Sequence, residues 1–389
     1  MRDRLNREKH KVGAILKLEY GKPLPDEKRI IDGNFPVYGA NGLKGKSNEY
    51  YCDKKSIVVG RKGSAGEINL TEDKFWPLDV TYFITFDEKK YNLFFLFYLL
   101  GILDLPNLAK GIKPGLNRNE VYDLEVFVPH LHEQVAIAEF LLNKCNKIDT
   151  IIALEEKSIA ELNEYKKSII QNTITKGISN AILKDSGVEW LGKIPQNWEI
   201  IRIGTIYQMR NTKVSDIDYP PLSVGYMGVV PQLENAAKTD DGDNRKLVLK
   251  NDFVINSRAD RRGACGISEL DGSVSLINIV LKPLKDACNN YYRYLFKSTG
   301  FSDEFYKWGN GIVDDLWSTK WSEMKRIYIT VPPFAEQQAI AEYLDKKTNQ
   351  VDNLISLKRQ KITELKEYKK SLIYEYVTGK KEPPKEVYE

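Results

Sequence analysis

Apolar residues fall into two long helical patterns in this chain. In the first, Ile148, Ile152, Ile159, Leu162, Tyr165 and Ile169 recur at threes, fours and sevens; in the second, Val351, Ile355, Ile362, Leu365, Tyr368 and Leu372 do the same. This is one apolar stripe with a period of about 3.5, the seam of a coiled coil. Both stretches lack Gly and Pro and are rich in Glu, Lys, Leu, Ile and Ala, mostly strong helix formers. Gly177 and Gly379 stand where such helices end. The pattern predicts long helices over residues 131–177 and 334–379. At the α-helical rise, Leu141 to Ile174 would extend about 50 Å. A lone stripe of that length needs a partner, so the two helices are expected to pair, antiparallel, under a pseudo-two-fold.

The two stretches are copies of one another. Glu133–Ile170 and Glu336–Ile373, offset by 203 residues, share 21 identities in 38 positions, and the proline before each copy matches (Pro129 and Pro332). The segments ahead of the helices correspond more weakly. Ser56–Leu70 and Asp252–Leu270 each read as a β-rich run, an Arg- and Gly-bearing turn, and a second β-rich run; Gly111–Pro129 parallels Gly311–Pro333 with a three-residue insertion. The chain is therefore read as an internal duplication, as a search for repeats should test first. The expected fold class is α+β: a domain at 1–130, a helix at 131–177, a connector at 178–198, a second domain at 199–333, a helix at 334–379 and a charged tail at 380–389.

Composition narrows the class without naming it. At 389 residues, with 42% hydrophobic and 29% charged positions, the chain should form two or more globular domains. No apolar run approaches the roughly 20 residues of a membrane span. Met1–Lys11 is charged throughout and lacks the core of a secretory signal. Cys52, Cys145, Cys265 and Cys288 form no CxxC pair and read as free thiols of a reducing compartment, consistent with a cytoplasmic location. A net charge of +4 means that any nucleic-acid surface must be a local patch.

Four features together resemble the specificity (S) subunit of type I restriction–modification systems. They are EQxAIAExL opening each helix, ELxEYKKSxI closing it, the connector SGVEWLGKIPQNWE (Ser186–Glu199) and the turn FPVYGANGLKG (Phe35–Gly45). The match spans almost the whole chain. One departure is the start, where Met1–His10 lacks the IPxxW copy with which the family often opens. The resemblance implies a non-catalytic subunit with two target recognition domains, each binding one half of a split double-stranded DNA sequence. The paired helices would set the gap between half-sites and dock two methyltransferase subunits, with restriction (motor) subunits joining the complex. S-adenosylmethionine, ATP and Mg²⁺ would belong to those partners, and no cofactor to this chain. Half-sites on one face of DNA lie about 34–36 Å apart per helical turn, a scale a long helix pair can span.

Candidate contacts follow from residue chemistry. Arginine reads guanine bidentately and lysine neutralises phosphate, so the turn carrying Arg61, Lys62 and Ser64 and the turn carrying Arg258, Arg261 and Arg262 are candidate DNA contacts. Asn41, an amide suited to adenine, stands with Lys44 and Lys46. Lys113, Asn117 and Arg118, with Asn310 and Lys320 in the second copy, precede the last strand of each domain. A plain glycine-rich hairpin with solvated charges is the competing reading. Trp308 is expected to pack rather than stack on a base. The EYKKS segments (Glu164, Tyr165, Lys166, Lys167; Glu367, Tyr368, Lys369, Lys370) are candidate partner-binding faces against the alternative of solvated helix charges.

Several catalytic patterns dissolve on inspection. His130-Leu131-His132 has Pro333 and Ala335 at its matching positions, which argues against a metal site. Asp218-Tyr219-Pro220-Pro221 holds the letters of an amino-methyltransferase motif in the wrong order, Pro25–Lys28 crowds the acids of a nuclease motif, and Gly309-x-Gly311 is too short for a nucleotide loop. The rival functions are a coiled-coil adaptor binding proteins, and a stand-alone methyltransferase or nuclease.

Overall fold

A computed structural model describes residues 7–109, 115–232, 242–258, 261–284, 287–311 and 317–384. The chain divides into two compact units, Met1–Glu155 with Arg359–Glu389, and Glu156–Lys358, so each long helix contributes one half to each unit.

The first unit opens with β1 (Glu8–Lys11), a turn of helix α1 (Val12–Ile15) and β2 (Leu16–Tyr20). A hairpin of β3 (Phe35–Gly39) and β4 (Gly42–Ser47) follows, then β5 (Ile57–Gly60), β6 (Ile68–Leu70), β7 (Trp76–Pro77) and β8 (Thr81–Phe86). Next come α2 (Leu93–Gly101), α3 (Arg118–Tyr122), β9 (Glu125–Val128) and the long helix α4 (Leu131–Lys176). The main sheet has the order β2-β8-β5-β6, all antiparallel. Its centre, Ile57-Val58-Val59-Gly60, is buried throughout, whereas β2 alternates with Leu16 and Leu18 inside and Lys17 outside. Helix α2 is apolar on nearly every side because it fills the core, and Asn92 caps it by accepting the Phe95 N–H at 3.0 Å.

The second unit repeats this frame. The connector forms the hairpin β10 (Leu183–Asp185) and β11 (Lys193–Pro195), followed by β12 (Glu199–Arg202), α5 (Ile203–Ile206), β13 (Tyr207–Met209), β14 (Lys213–Val214), β15 (Leu222–Gly225) and β16 (Gly228–Pro231). Then come β17 (Arg245–Val248), β18 (Phe253–Asn256), β19 (Cys265–Ile267), β20 (Gly272–Val274) and β21 (Asn278–Pro283). The unit closes with α6 (Asn289–Lys297), α7 (Thr299–Lys307), α8 (Trp321–Met324), β22 (Tyr328–Val331) and the start of α9 (Phe334–Val377). The order β13-β21-β18-β19 matches β2-β8-β5-β6 strand for strand, and β12–β22 matches β1–β9. The connector is part of the core: Leu191, Ile194 and Trp198 are buried with Ile174 of α4.

The departure at the N-terminus acquires a structural meaning. Arg7 directly precedes β1 as Trp198 directly precedes β12. The Trp198 ring lies against Gly177, where α4 ends, and the Arg7 guanidinium lies against Gly379, beyond the end of α9. Arg7 donates to the Val377 carbonyl at 2.6 Å and pairs with Glu133 at 2.7 Å. A cation at a helix C-terminus is favoured by the unpaired carbonyls there, so charge replaces aromatic packing at this end.

Helices α4 and α9 pair antiparallel. In the first unit Lys369 meets Asp149 at 2.6 Å and Lys361 meets Glu155 at 2.7 Å; in the second, Lys166 meets Asp352 at 2.6 Å. The 203-residue offset converts the Asp149–Lys369 pair into Asp352–Lys166. The expected seam is corrected at one position per helix: Tyr165 and Tyr368 are 50% and 57% exposed. Continuing the four-three alternation from Ile152 and Ile355 reaches Lys166 and Lys369, whose stems lie along the seam while their ammonium groups cross it. A polar seam residue fixes register in a helix pair.

At the start of each helix a glutamine is almost wholly buried, Gln134 at 1% and Gln337 at 2% exposure. Gln134 Nε2 donates to the carbonyls of Pro129 (2.8 Å) and Lys90 (3.1 Å), and its Oε1 accepts the Asn92 N–H (2.9 Å). Gln337 Nε2 donates to Pro332 (2.8 Å), and its Oε1 accepts the Cys288 N–H (3.3 Å). Asn92 and Cys288 are the N-cap residues of α2 and α6. The same side chain thus ties each long helix to the core helix of its own domain. Gln134→Leu and Gln337→Leu, which strand these buried backbone groups, should each lower unfolding free energy by about 1–3 kcal/mol. Denaturant titration checks this; unchanged midpoints would show that the glutamines carry no such tie.

Candidate nucleic-acid interface

Two loops converge in the first unit through backbone pairing. The Leu116 N–H donates to the Arg61 carbonyl at 2.9 Å, and Lys62 bridges Gly115. Beside them stands the β3–β4 turn, because glycine at position 60 admits a close approach: a Cβ there would lie 2.8 Å from the Ala40 carbonyl oxygen. The structure therefore gathers Asn41, Lys44, Arg61, Lys62, Ser64, Asn117 and Arg118 around one set of turns. Asn41, Lys44, Lys46, Lys62 and Asn117 are exposed, while Arg61, Ser64 and Arg118 are half-buried. Lys113 lies outside the described residues.

The two arginines there are held, not loose. Arg61 donates from Nε and Nη2 to the Asp79 carbonyl at 3.1 and 2.6 Å. Its guanidinium lies 5.3 Å from the Tyr20 ring centroid, and that of Arg118 lies 5.1 Å from the same centroid. Tyr82, 5.1 Å from Tyr20, has its phenol pushed up to about 12 by burial and by Tyr20, so it stays protonated and donates to the Leu116 carbonyl at 3.2 Å. Asn117 caps α3 by accepting the Asn119 N–H at 3.0 Å, which commits its amide oxygen to the helix.

The second unit makes the same join. The Thr319 N–H donates to the Ser257 carbonyl at 3.0 Å and Arg258 bridges Ser318, as Leu116 and Gly115 join Arg61 and Lys62. By this register Lys62 corresponds to Arg258 and Asn117 to Lys320, each of the latter two being an N-cap. Asn310 also pairs with Ser318, placing it beside Arg258. Arg258, Arg261, Arg262, Asn310 and Lys320 are exposed. Arg262 is partly neutralised by Asp303 at 3.2 Å and lies over the Tyr306 ring. Trp308 donates from Nε1 to Glu304 at 2.8 Å beneath Arg326, a packed role.

A family model described as the type I restriction modification DNA specificity domain matches residues 6–164 and 195–367. The chain belongs to this family. It is 27% identical over 312 residues to a protein of Methanocaldococcus jannaschii provisionally named the type I restriction enzyme MjaX specificity subunit, covering 76% of this chain and 69% of that one. It is 23% identical to the type I restriction enzyme MjaVIII specificity subunit of the same organism, over 95% and 92% of the two chains. Its fold resembles the HsdS subunit of Thermoanaerobacter tengcongensis (TM-score 0.55, 15% identity, 96% and 97% covered). It also resembles a chain from a study of complex assembly and conformational transition of the type I R-M system (TM-score 0.69, 13% identity, 96% and 98% covered).

Within this specificity subunit, the partner-face candidates divide. Lys166 and Lys369 are engaged in the helix pair, and Lys167 pairs with Glu164 at 2.8 Å, whereas Tyr165 and Tyr368 face outward and Glu367 and Lys370 are exposed. Among the described residues no group of three or more His, Cys, Asp or Glu could hold a metal ion, and no helix is long and apolar enough to cross a membrane. The four cysteines are free thiols; burial pushes those of Cys52 and Cys265 up to about 12.

Sequence reasoning passed over Tyr20, Tyr226 and Met227. A signal for the last two is present: Gly39-Ala40-Asn41-Gly42 and Gly225-Tyr226-Met227-Gly228 close the β3–β4 and β15–β16 hairpins identically, with Gly42 at φ +103° and Gly228 at φ +106°. Such dihedrals favour glycine. Gly42→Ala and Gly228→Ala should each cost about 1–2 kcal/mol, whereas Gly225→Ala, with no atom within 4 Å of its Cβ, should cost nothing measurable. Thermal unfolding of the three variants checks this, and equal midpoints would contradict it.

Proposed function

We propose that this specificity subunit reads a split double-stranded DNA target. Each domain recognises one half-site, and the α4–α9 pair sets the number of unspecified base pairs between them. The observation that carries this reading is the paired loop junction: two domains present corresponding loops through the same backbone hydrogen bonds, yet with different side chains. Lys62 faces the task in one domain and Arg258 in the other; Asn117 becomes Lys320. A fixed frame with divergent tips suits two readers of different sequences.

Two methyltransferase subunits dock on the long helices, and restriction subunits join through them. Exposed apolar residues recur at equivalent helix positions, which supports a duplicated docking face: Leu154 and Leu357 are 61% and 63% exposed, and Ile151 and Leu354 accompany them. Tyr165 and Tyr368 are likewise exposed at equivalent positions, and exposed apolar residues of this kind bury against partner helices. The chain itself carries out no chemistry. S-adenosylmethionine, ATP and Mg²⁺ act in the partner subunits.

The test is the methylation pattern of cells expressing this chain with its methyltransferase. Methylation at one bipartite motif, two half-sites around a constant gap, is the expected result. A continuous motif, or none while the complex assembles, would overturn the reading.

A further inference from the structure

The β15–β16 hairpin stands apart from the charged loops in its chemistry. Its base is anchored, with Leu222 buried and Val224 and Val229 packed on Val248, Val254, Val274 and Val280. Its tip is the reverse: Tyr226 is 72% and Met227 88% exposed. Two large apolar side chains on a two-residue turn have no role in folding at that exposure. The surroundings are cationic. Tyr226 ring atoms lie 3.5–3.7 Å from where a Cβ on Gly263 would be, directly after Arg261 and Arg262, of which Arg262 is exposed and pairs with Asp303 at 3.2 Å, and the Lys297 Nζ lies 3.7 Å from the corresponding point on Gly228. An apolar protein partner would be poorly matched by this collar, whereas a polyanion whose interior edges are apolar fits both parts.

The geometry points to a base-reading ribbon. We propose that β15–β16 enters the DNA major groove and that Tyr226 and Met227 contact thymine C5-methyl groups in the half-site of the second domain. The inference rests on the DNA-reading function above and names the residues and base feature within it. The major groove, about 12 Å wide, admits a two-stranded β-ribbon, and the thymine methyl is the one apolar group exposed on its floor. The flanking cations hold the phosphates on either side. In the first domain the equivalent tip is Ala40-Asn41, where an amide suits adenine N6 and N7. The same turn therefore carries an apolar reader in one domain and a polar one in the other.

The experiment uses the assembled complex of this chain with its methyltransferase, and duplexes bearing the methylated target. Thymines of the second domain's half-site are replaced singly by deoxyuridine, leaving aside any pair that carries the methylated base. Loss of one contacted methyl should weaken competitive binding about fourfold. The double variant Tyr226→Ala/Met227→Ala should bind thymine and uracil duplexes equally while still responding to base changes in the first half-site. Uracil-insensitive wild-type binding, a half-site without any A·T pair, or a double variant that keeps its uracil response would overturn the proposal while leaving the DNA-reading function intact. A double variant that loses its methyltransferase but not its base preference would mark the tip as a protein contact, and also overturn it. Failure of the wild-type complex to prefer any sequence would instead remove the underlying function.

Discussion

Each long helix leaves its domain through a buried glutamine side chain, which acts together with apolar packing and, in the second unit, the Arg293–Asp345 pair to seat the helix on the domain. A buried amide must satisfy its hydrogen bonds or cost the full desolvation of what it leaves unpaired. Gln134 and Gln337 do so by binding the backbone of the proline turn that precedes the helix and the N-cap residue of the domain's own core helix. No apolar residue could make both contacts, and a shorter amide would not reach both. This accounts physically for the Glu-Gln that opens both copies, since the neighbouring glutamates are also engaged, Glu133 by Arg7 and Glu336 by Asn197.

From that joint outward the two units follow one plan with decreasing strictness. The helix pair is fixed by apolar seam residues and by the repeated lysine–aspartate pair. The sheets keep their strand order while their side chains change. The loop junction keeps its backbone hydrogen bonds while nearly every side chain differs. At the hairpin tips the glycines remain, required by the left-handed backbone at Gly42 and Gly228, while Asn41, Tyr226 and Met227 between them are exposed. DNA contact is proposed at these exposed tip residues.

The duplication, the helices and the mixed α+β character were legible in the sequence because a gap-free repeat exposes its own periodicity. The seam tyrosines were misplaced by one residue, since a lysine does not read as a seam residue until its partner is known. Trp198 reads as part of a connector, and only the tertiary structure shows it sealing a core. Arg7 could not be recognised as its counterpart, because no pattern of residue types links a guanidinium to an indole; they are alike only in lying against the glycine after a helix. Among candidate site residues, the charged turns could be nominated from their chemistry. Tyr226 and Met227 were not, because exposed apolar residues in a sequence look like core.

The central claim is that a common frame holds two independent readers. It is tested most directly by a chain in which residues 8–128 are duplicated in place of residues 199–331, expressed with the methyltransferase, followed by mapping of the methylated sites. The account predicts a split target built from the first domain's half-site twice. Retention of the original unsymmetrical target, or methylation at sites containing neither half-site, would contradict it.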